Sequence, residues 1–196
     1  MLDPSPIDVV PNDFVYGASR AGRWGGQTRG EIGFSVLQHM TLTTRIADRL
    51  VLVGSLWPQG SSIRAQALKI AHCHDLHEGG GLGDIITPYG KILNIASGAL
   101  EELKSRLDRA IFLNVRIRRP SEEQRVLTAV KKADRIAAVS EAIQLLGYDV
   151  DEARRKFGGA GLPIWTDAIV PLDEVAAREE WIGLARKIGL EIGGER

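Results

Sequence analysis

Cysteine is nearly missing from this chain. Cys73 is the one thiol in 196 residues, so no disulfide can close within it. That scarcity fits a reducing compartment. Long apolar runs are missing as well: nothing approaches the roughly 20 residues needed to span a bilayer. The opening "MLDPSPIDVV" lacks the basic and apolar regions of a secretory leader. The expectation is a cytoplasmic protein with no membrane partner. Neither sign of charge is in excess, because Lys+Arg and Asp+Glu both number 25. No global field draws the chain to nucleic acid, and an anionic small molecule would need local cations. Strand-like alternation, internal repeats and low-complexity segments are absent too.

Helical spacing is abundant. Residues 1–12 carry Pro4, Pro6 and Pro11 and read as an extended arm. Residues 13–196 read as one domain, with a core at about 13–145 and a helical extension at 146–196. "PNDFVYGASRAG" predicts a short helix capped by Asn12, and residues 22–33 a glycine-rich loop. Val36, Met40, Leu42, Ile46 and Leu50 repeat at helical spacing until Gly54 and Pro58. "SSIRAQALKIAHCHDLHE" predicts a serine-capped helix ended by glycines. A helix is expected over 93–112, and the strongest over 121–147, with Ser121 and Gln124 as a capping box. The last amphipathic helix places Trp181, Leu184 and Ile188 on one side. The expected fold is an all-α bundle with short to medium loops.

Three of these helices carry a ligand-type residue on the apolar face. His39 lies with Val36, Leu42 and Ile46; His74 with Ile63, Ala67 and Ile70; Asp134 with Leu127, Val130, Ala137 and Ala138. Asp75 adjoins His74. In a bundle two imidazoles and two carboxylates would meet in the interior, where an unpaired carboxylate costs several kcal/mol. A divalent cation would satisfy them. Two nitrogens and two carboxylate oxygens suit Mn, Fe, Co, Ni or Zn better than Mg or Ca. Positions left open to water and substrate make such a site catalytic in type.

Each residue also has a plainer use. His39 alone fits a hydrogen-bonded core position, and Asp134 fits an ion pair with Lys131, Lys132 or Arg135. Lys131 and Lys132 otherwise read as a solvated face. His72 is expected to point away from His74 into solvent, whereas His77 could face the site. Gly25-Gly26 and Gly79 to Gly81 could be simple turns, and Trp24 could be packing.

The ordered segments "RWGGQT", "SVLQH", "HDLHE", "GDIITPYGK" and "KKAD" resemble the HD-domain phosphohydrolases, in particular their 5'-deoxynucleotidase-like branch of bacteria and phages. The resemblance covers roughly residues 10–140. It implies His39, His74, Asp75 and Asp134 as metal ligands. It implies Glu78 as the group that positions water or carries a proton, and Asp84 as a second acidic participant. Arg23 would grip phosphate, Trp24 would stack on a base or sugar, and Gln27 and Lys91 would contact substrate. Arg20 and Arg29 compete with Arg23 for the phosphate.

The implied activity is divalent-metal-dependent hydrolysis of a deoxynucleoside 5'-phosphate, with Co, Mn, Zn, Fe or Ni as cofactor. One alternative is a triphosphohydrolase, as in phage enzymes acting on dATP, in which a polyphosphate substrate would bring a second Mg. Another is a nucleotide-binding HD module without turnover, and a third is a metal-free helical interaction protein. Assembly into a homo-oligomer is also expected from the resemblance.

Overall fold

The computed structural model describes residues 4–52, 57–85, 92, 98–118 and 120–192. Among them are seven α-helices and no β-strand: α1 (Pro11–Arg20), α2 (Val36–Ile46), α3 (Ser62–Cys73), α4 (Ala99–Asn114), α5 (Glu123–Glu141), α6 (Val150–Phe157) and α7 (Glu174–Lys187). The fold is all-α, as the periodicity predicts. No helix among the described residues is long and apolar enough to cross a membrane.

α2 is the central element and packs on α1, α3, α5 and α7. Its sequence explains this. Ser35 caps it by accepting from the Gln38 N–H, and every residue from Val36 to Thr44 is buried. Two π-helical turns, Ala47–Val51 after α2 and Ala142–Leu146 after α5, extend these helices with altered register. That change of register turns Leu50 outward, although the helical spacing places it with Ile46. The core is continuous from Val9 to Leu190 and includes Trp165, Trp181 and Ala185 from the C-terminal third. On α7 the buried stripe is Ala177, Trp181 and Ala185, with Leu184 and Ile188 at its margin. The Gln38 amide ties residues 170–172 to α2: it donates to the Val170 carbonyl and accepts from the Leu172 N–H.

Some boundaries differ from the expected ones. α1 starts at Pro11 with Val10, not Asn12, as its cap, because proline is tolerated at the first helical position. α5 starts at Glu123 behind Glu122, which makes no side-chain cap, so the Ser121–Gln124 box does not form. Glu122 instead binds Arg125 and accepts from the Trp57 indole. α3 stops at Cys73, short of the whole "HCHDLHE" stretch. A tighter 3-10 turn, Leu76–Gly80, carries the rest.

The glycines explain that turn. A Cβ on Gly79 would stand 2.0 Å from the Phe14 carbonyl oxygen, and one on Gly17 would stand 1.9 Å from the Gly79 oxygen. A Cβ on Gly80 would meet the Phe14 ring at 2.3 Å. The turn therefore lies backbone-on-backbone against α1, a contact that admits no side chain. These glycines are not simple turn punctuation; they set the height at which His77 and Glu78 stand.

Candidate metal centre

α2, α3 and α5 deliver four side chains to one buried point. His39 comes from the middle of α2, His74 and Asp75 from the end of α3, and Asp134 from α5. His39 Nε2 lies 3.2 Å from Asp134 Oδ1 and 3.7 Å from Asp75 Oδ2. His74 Nε2 lies 3.3 Å from Asp75 Oδ2 and 3.9 Å from Asp134 Oδ1. The two imidazole centroids are 5.2 Å apart. Ligand atoms of His39, His74 and Asp134 all fall within 4.8 Å of one another.

The tautomers are set from behind. His74 Nδ1 lies 2.8 Å from the Ala71 carbonyl, which can only accept, so Nδ1 carries the proton. His39 Nδ1 lies 2.6 Å from Glu141 Oε1 and donates to it. Both rings then turn Nε2 toward the carboxylates, and neither Nε2 has a hydrogen-bond partner. Two buried ring nitrogens facing two carboxylates call for positive charge between them, which protons on the rings or a bound cation would supply. The donor set therefore fits a divalent transition metal, with Glu141 and the Ala71 carbonyl as outer supports.

The electrostatics point the same way. Asp75, Asp134, Glu141, Glu78 and Asp84 gather around one guanidinium, Arg23. Burial opposes charge on Asp75 and Asp134, yet both carboxyls stay well below their ordinary range. His74, His39 and Arg23 hold Asp75 down; the His39 contact and the charges of His74, His39 and Lys131 hold Asp134 down. Burial and Arg23 push His39 down, but Glu141 and Asp134 outweigh them and raise it to about 9. Glu78 is raised to about 7 by burial and by Asp75, against the pull of Arg23.

A pinned loop brings in Arg23 and Trp24. The Arg23 N–H donates to Phe34 and the Val36 N–H to Ala21, which closes the glycine-rich segment at its base. Arg23 Nη1 lies 3.7 Å from Asp84 and 3.9 Å from Asp75, and Nη2 lies 3.6 Å from Glu141. Trp24 adopts a left-handed backbone, φ 60°, which a bulky side chain rarely takes. It is held there by its N–H to Asp84 (2.9 Å), its indole N–H to Glu141 (3.0 Å) and an edge contact with Phe157.

Asp84 is thus the acceptor that fixes the Arg23–Trp24 turn. Gln27 is exposed just beyond it. Arg20 lies apart from the cluster, paired with Glu174 at 2.8 Å on the surface. Arg29 lies over Gly147. Lys91 lies outside the described residues.

Two expectations are corrected. His72 is fully buried, not solvated: it stacks on Trp181 with centroids 4.4 Å apart and reaches the Trp181 carbonyl at 3.0 Å and the Thr44 hydroxyl at 3.1 Å. Its place on α3 turns it toward α7, so the indole and not water receives it. Leu127 does not share the buried face of Asp134. It is 41% exposed because it borders a cleft. That cleft, of about 750 Å³, opens beside His74, Asp75 and Asp134 and is also edged by Lys131, Lys132 and Arg135. Lys131 is exposed, as a solvated face predicts, and its ammonium pairs with Asp134.

Glu141 and Asp108 were not visible as site residues from sequence. Glu141 stands seven residues after Asp134, two helical turns along the same face. That spacing was the available signal.

The chain is similar to an uncharacterized protein of Rhodobacter capsulatus, at 35% identity over 161 residues that cover 81% of this chain and 74% of that one. The two belong to one family. No family model matches the chain.

Proposed function

We propose that the chain is a divalent-metal-dependent phosphohydrolase of deoxynucleotides, of the HD-domain type, acting on deoxynucleoside 5'-monophosphates. One observation carries the reading. Two buried Nε2 atoms without partners face Asp75 and Asp134, while Glu141 and the Ala71 carbonyl fix the rings from behind. His39, His74, Asp75 and Asp134 would hold the ion. A bound transition metal supplies a water of lowered pKa and polarises a phosphoryl oxygen.

The protein's own groups do the rest. Arg23, 13% exposed and aimed into the cluster, offsets charge on the phosphoryl oxygens. Glu78, buried and near neutrality in proton affinity, orients the attacking water or carries its proton. Asp84 positions Arg23 and Trp24 through its bond to the Trp24 N–H.

A second reading, dNTP triphosphohydrolase, is favoured by Lys131, Lys132 and Arg135 along the cleft. Three cations beside the centre suit a longer phosphate chain.

The test is a screen of all dNMPs and dNTPs with Mn, Co and Zn, with chromatography separating phosphate from triphosphate, alongside metal analysis of the purified protein. Bound metal and release of either product, both lost in Asp134→Ala, support the proposal. A wild type that binds no metal and cleaves none of these nucleotides overturns it.

A further inference from the structure

We infer that the trough running from the metal centre along α4 and α5 takes a single DNA strand with its 5'-terminal phosphate at the centre, so that 5'-phosphorylated oligodeoxynucleotides are substrates alongside mononucleotides. The inference rests on the proposed activity and extends it to a larger substrate.

The balance of charge over the whole chain hides a local excess. From Ala99 to Arg135 the sequence holds ten Lys and Arg against six Asp and Glu. Four of those acids are already engaged. Glu102 binds Arg106, Glu122 binds Arg125, Asp134 binds Lys131, and Asp108 accepts from His77 Nδ1 at 2.7 Å. Five cations, Lys104, Arg109, Arg118, Lys132 and Arg135, make no ion pair among the described residues, and each borders one of two clefts.

The clefts adjoin. The 750 Å³ cleft beside His74, Asp75 and Asp134 shares Ile70, Asp75, Asp108, Phe112, Leu127 and Lys131 with a second of about 1320 Å³. Small-molecule sites run to about 300–1,000 Å³, so the first cleft alone accommodates a mononucleotide and the second is surplus to it. Lys132 and Arg135 edge the first, and Lys104, Arg109 and Arg118 the second, against Glu101 and Glu123. Apolar surface lies between these cations: Phe112 is half-buried, Leu127 is 41% exposed and Leu113 60% exposed. Cations spaced along a groove with apolar side chains between them suit a single strand, whose phosphates pair with the first and whose base faces lie on the second. At the centre water adds to the terminal phosphorus and the P–O5' bond breaks. O5' takes up one proton of that water, which releases inorganic phosphate and a 5'-hydroxyl strand.

The test begins with a thymidylate octamer carrying a 5'-hydroxyl and a 3'-fluorescein. It has no terminal phosphate to lose, so anisotropy reads its binding to the purified protein without turnover. The plot of log K against log[salt] should fall with a slope of about −3.5 for five neutralised phosphates. Arg109→Gln combined with Arg118→Gln, both exposed, should flatten that slope by about 1.4. Arg155→Gln, on α6 and outside both clefts, should leave it as it is. The 5'-phosphorylated octamer should release phosphate with a KM about 10-fold or more below that of thymidine monophosphate, and the double variant should close the gap. An octamer that does not bind, or a slope that the double variant leaves unmoved, overturns this inference and leaves mononucleotide cleavage standing. So does a bound octamer that keeps its 5'-phosphate while thymidine monophosphate is cleaved. Inorganic polyphosphate that competes as well as the octamer overturns the strand assignment, because charge alone would then account for binding. No cleavage of any nucleotide removes the activity, and this substrate with it.

Discussion

Glu141 Oε1 stands 2.6 Å from His39 Nδ1, and neither side chain exposes any surface. The carboxylate also accepts from the Trp24 indole at 3.0 Å, so one buried charge links α2, α5 and the pinned loop. Glu141→Gln keeps the shape and removes the charge. Metal affinity should fall by about 10- to 100-fold, the usual effect of losing an outer carboxylate on a ligating histidine. Competition with a fluorescent chelator measures this. Unchanged affinity would mean that His39 is not a ligand.

His72 supplies a pH test that is independent of activity. Burial lowers its pKa from 6.5 to about 3, against the raising effect of the Trp181 carbonyl. The unfolded chain therefore takes up this proton before the folded one. The contribution is fully present above about pH 6.5 and is lost as pH falls toward 3, at about 1.4 kcal/mol per unit. Glu78, raised to about 7, works in the opposite direction over part of this range. The comparison is thus wild type against His72→Gln, by urea unfolding of chelated protein at several pH values. The difference between the two should shrink as pH drops from 7 to 5. A constant difference would show that His72 does not titrate on unfolding.

Arg23 separates substrate binding from metal binding. Its guanidinium lies 3.6–3.9 Å from Asp75, Asp84 and Glu141, so it repels a cation while attracting phosphate. Arg23→Gln should raise KM by about 10- to 100-fold, the worth of a charged hydrogen bond. Its metal affinity should be equal to that of the wild type or tighter. Titration calorimetry with Mn²⁺ and steady-state kinetics give the two readings. Weaker metal binding would make the arginine a support for the ligands and not a phosphate group's partner.

The glycines differ sharply in what they tolerate. Gly79→Ala would force its Cβ to within 2.0 Å of the Phe14 carbonyl oxygen. The clash is with backbone, so the cost should be at least about 1–3 kcal/mol. Gly33 has nothing within 4 Å of its would-be Cβ and no left-handed backbone, so Gly33→Ala should change stability by less than about 0.5 kcal/mol. Paired thermal melts compare them. Equal melting temperatures would contradict the packing of the turn on α1.

Much of this molecule is written in its periodicity. Apolar spacing around His39, His74 and Asp134 is enough to place all three on inward faces, because a helix buries whichever stripe is apolar. The end of α3 was less legible. Helical spacing continues through His77 and Glu78, but the contact between Gly79 and α1 belongs to tertiary packing, and no local rule announces it. His72 reads as solvated for a similar reason: its partner is an indole more than a hundred residues away. Glu141 and Asp108 look like ordinary helical acids until the imidazoles opposite them are in place.

The contact between Gly17 and Gly79 has a mechanical corollary. With no side chain to act as a cushion, α1 and the His77–Glu78 turn meet as two rigid rails. A ligand that shifts the turn must therefore carry residues 11–20 along with it, and the first helix will register events at a centre to which it contributes no ligand.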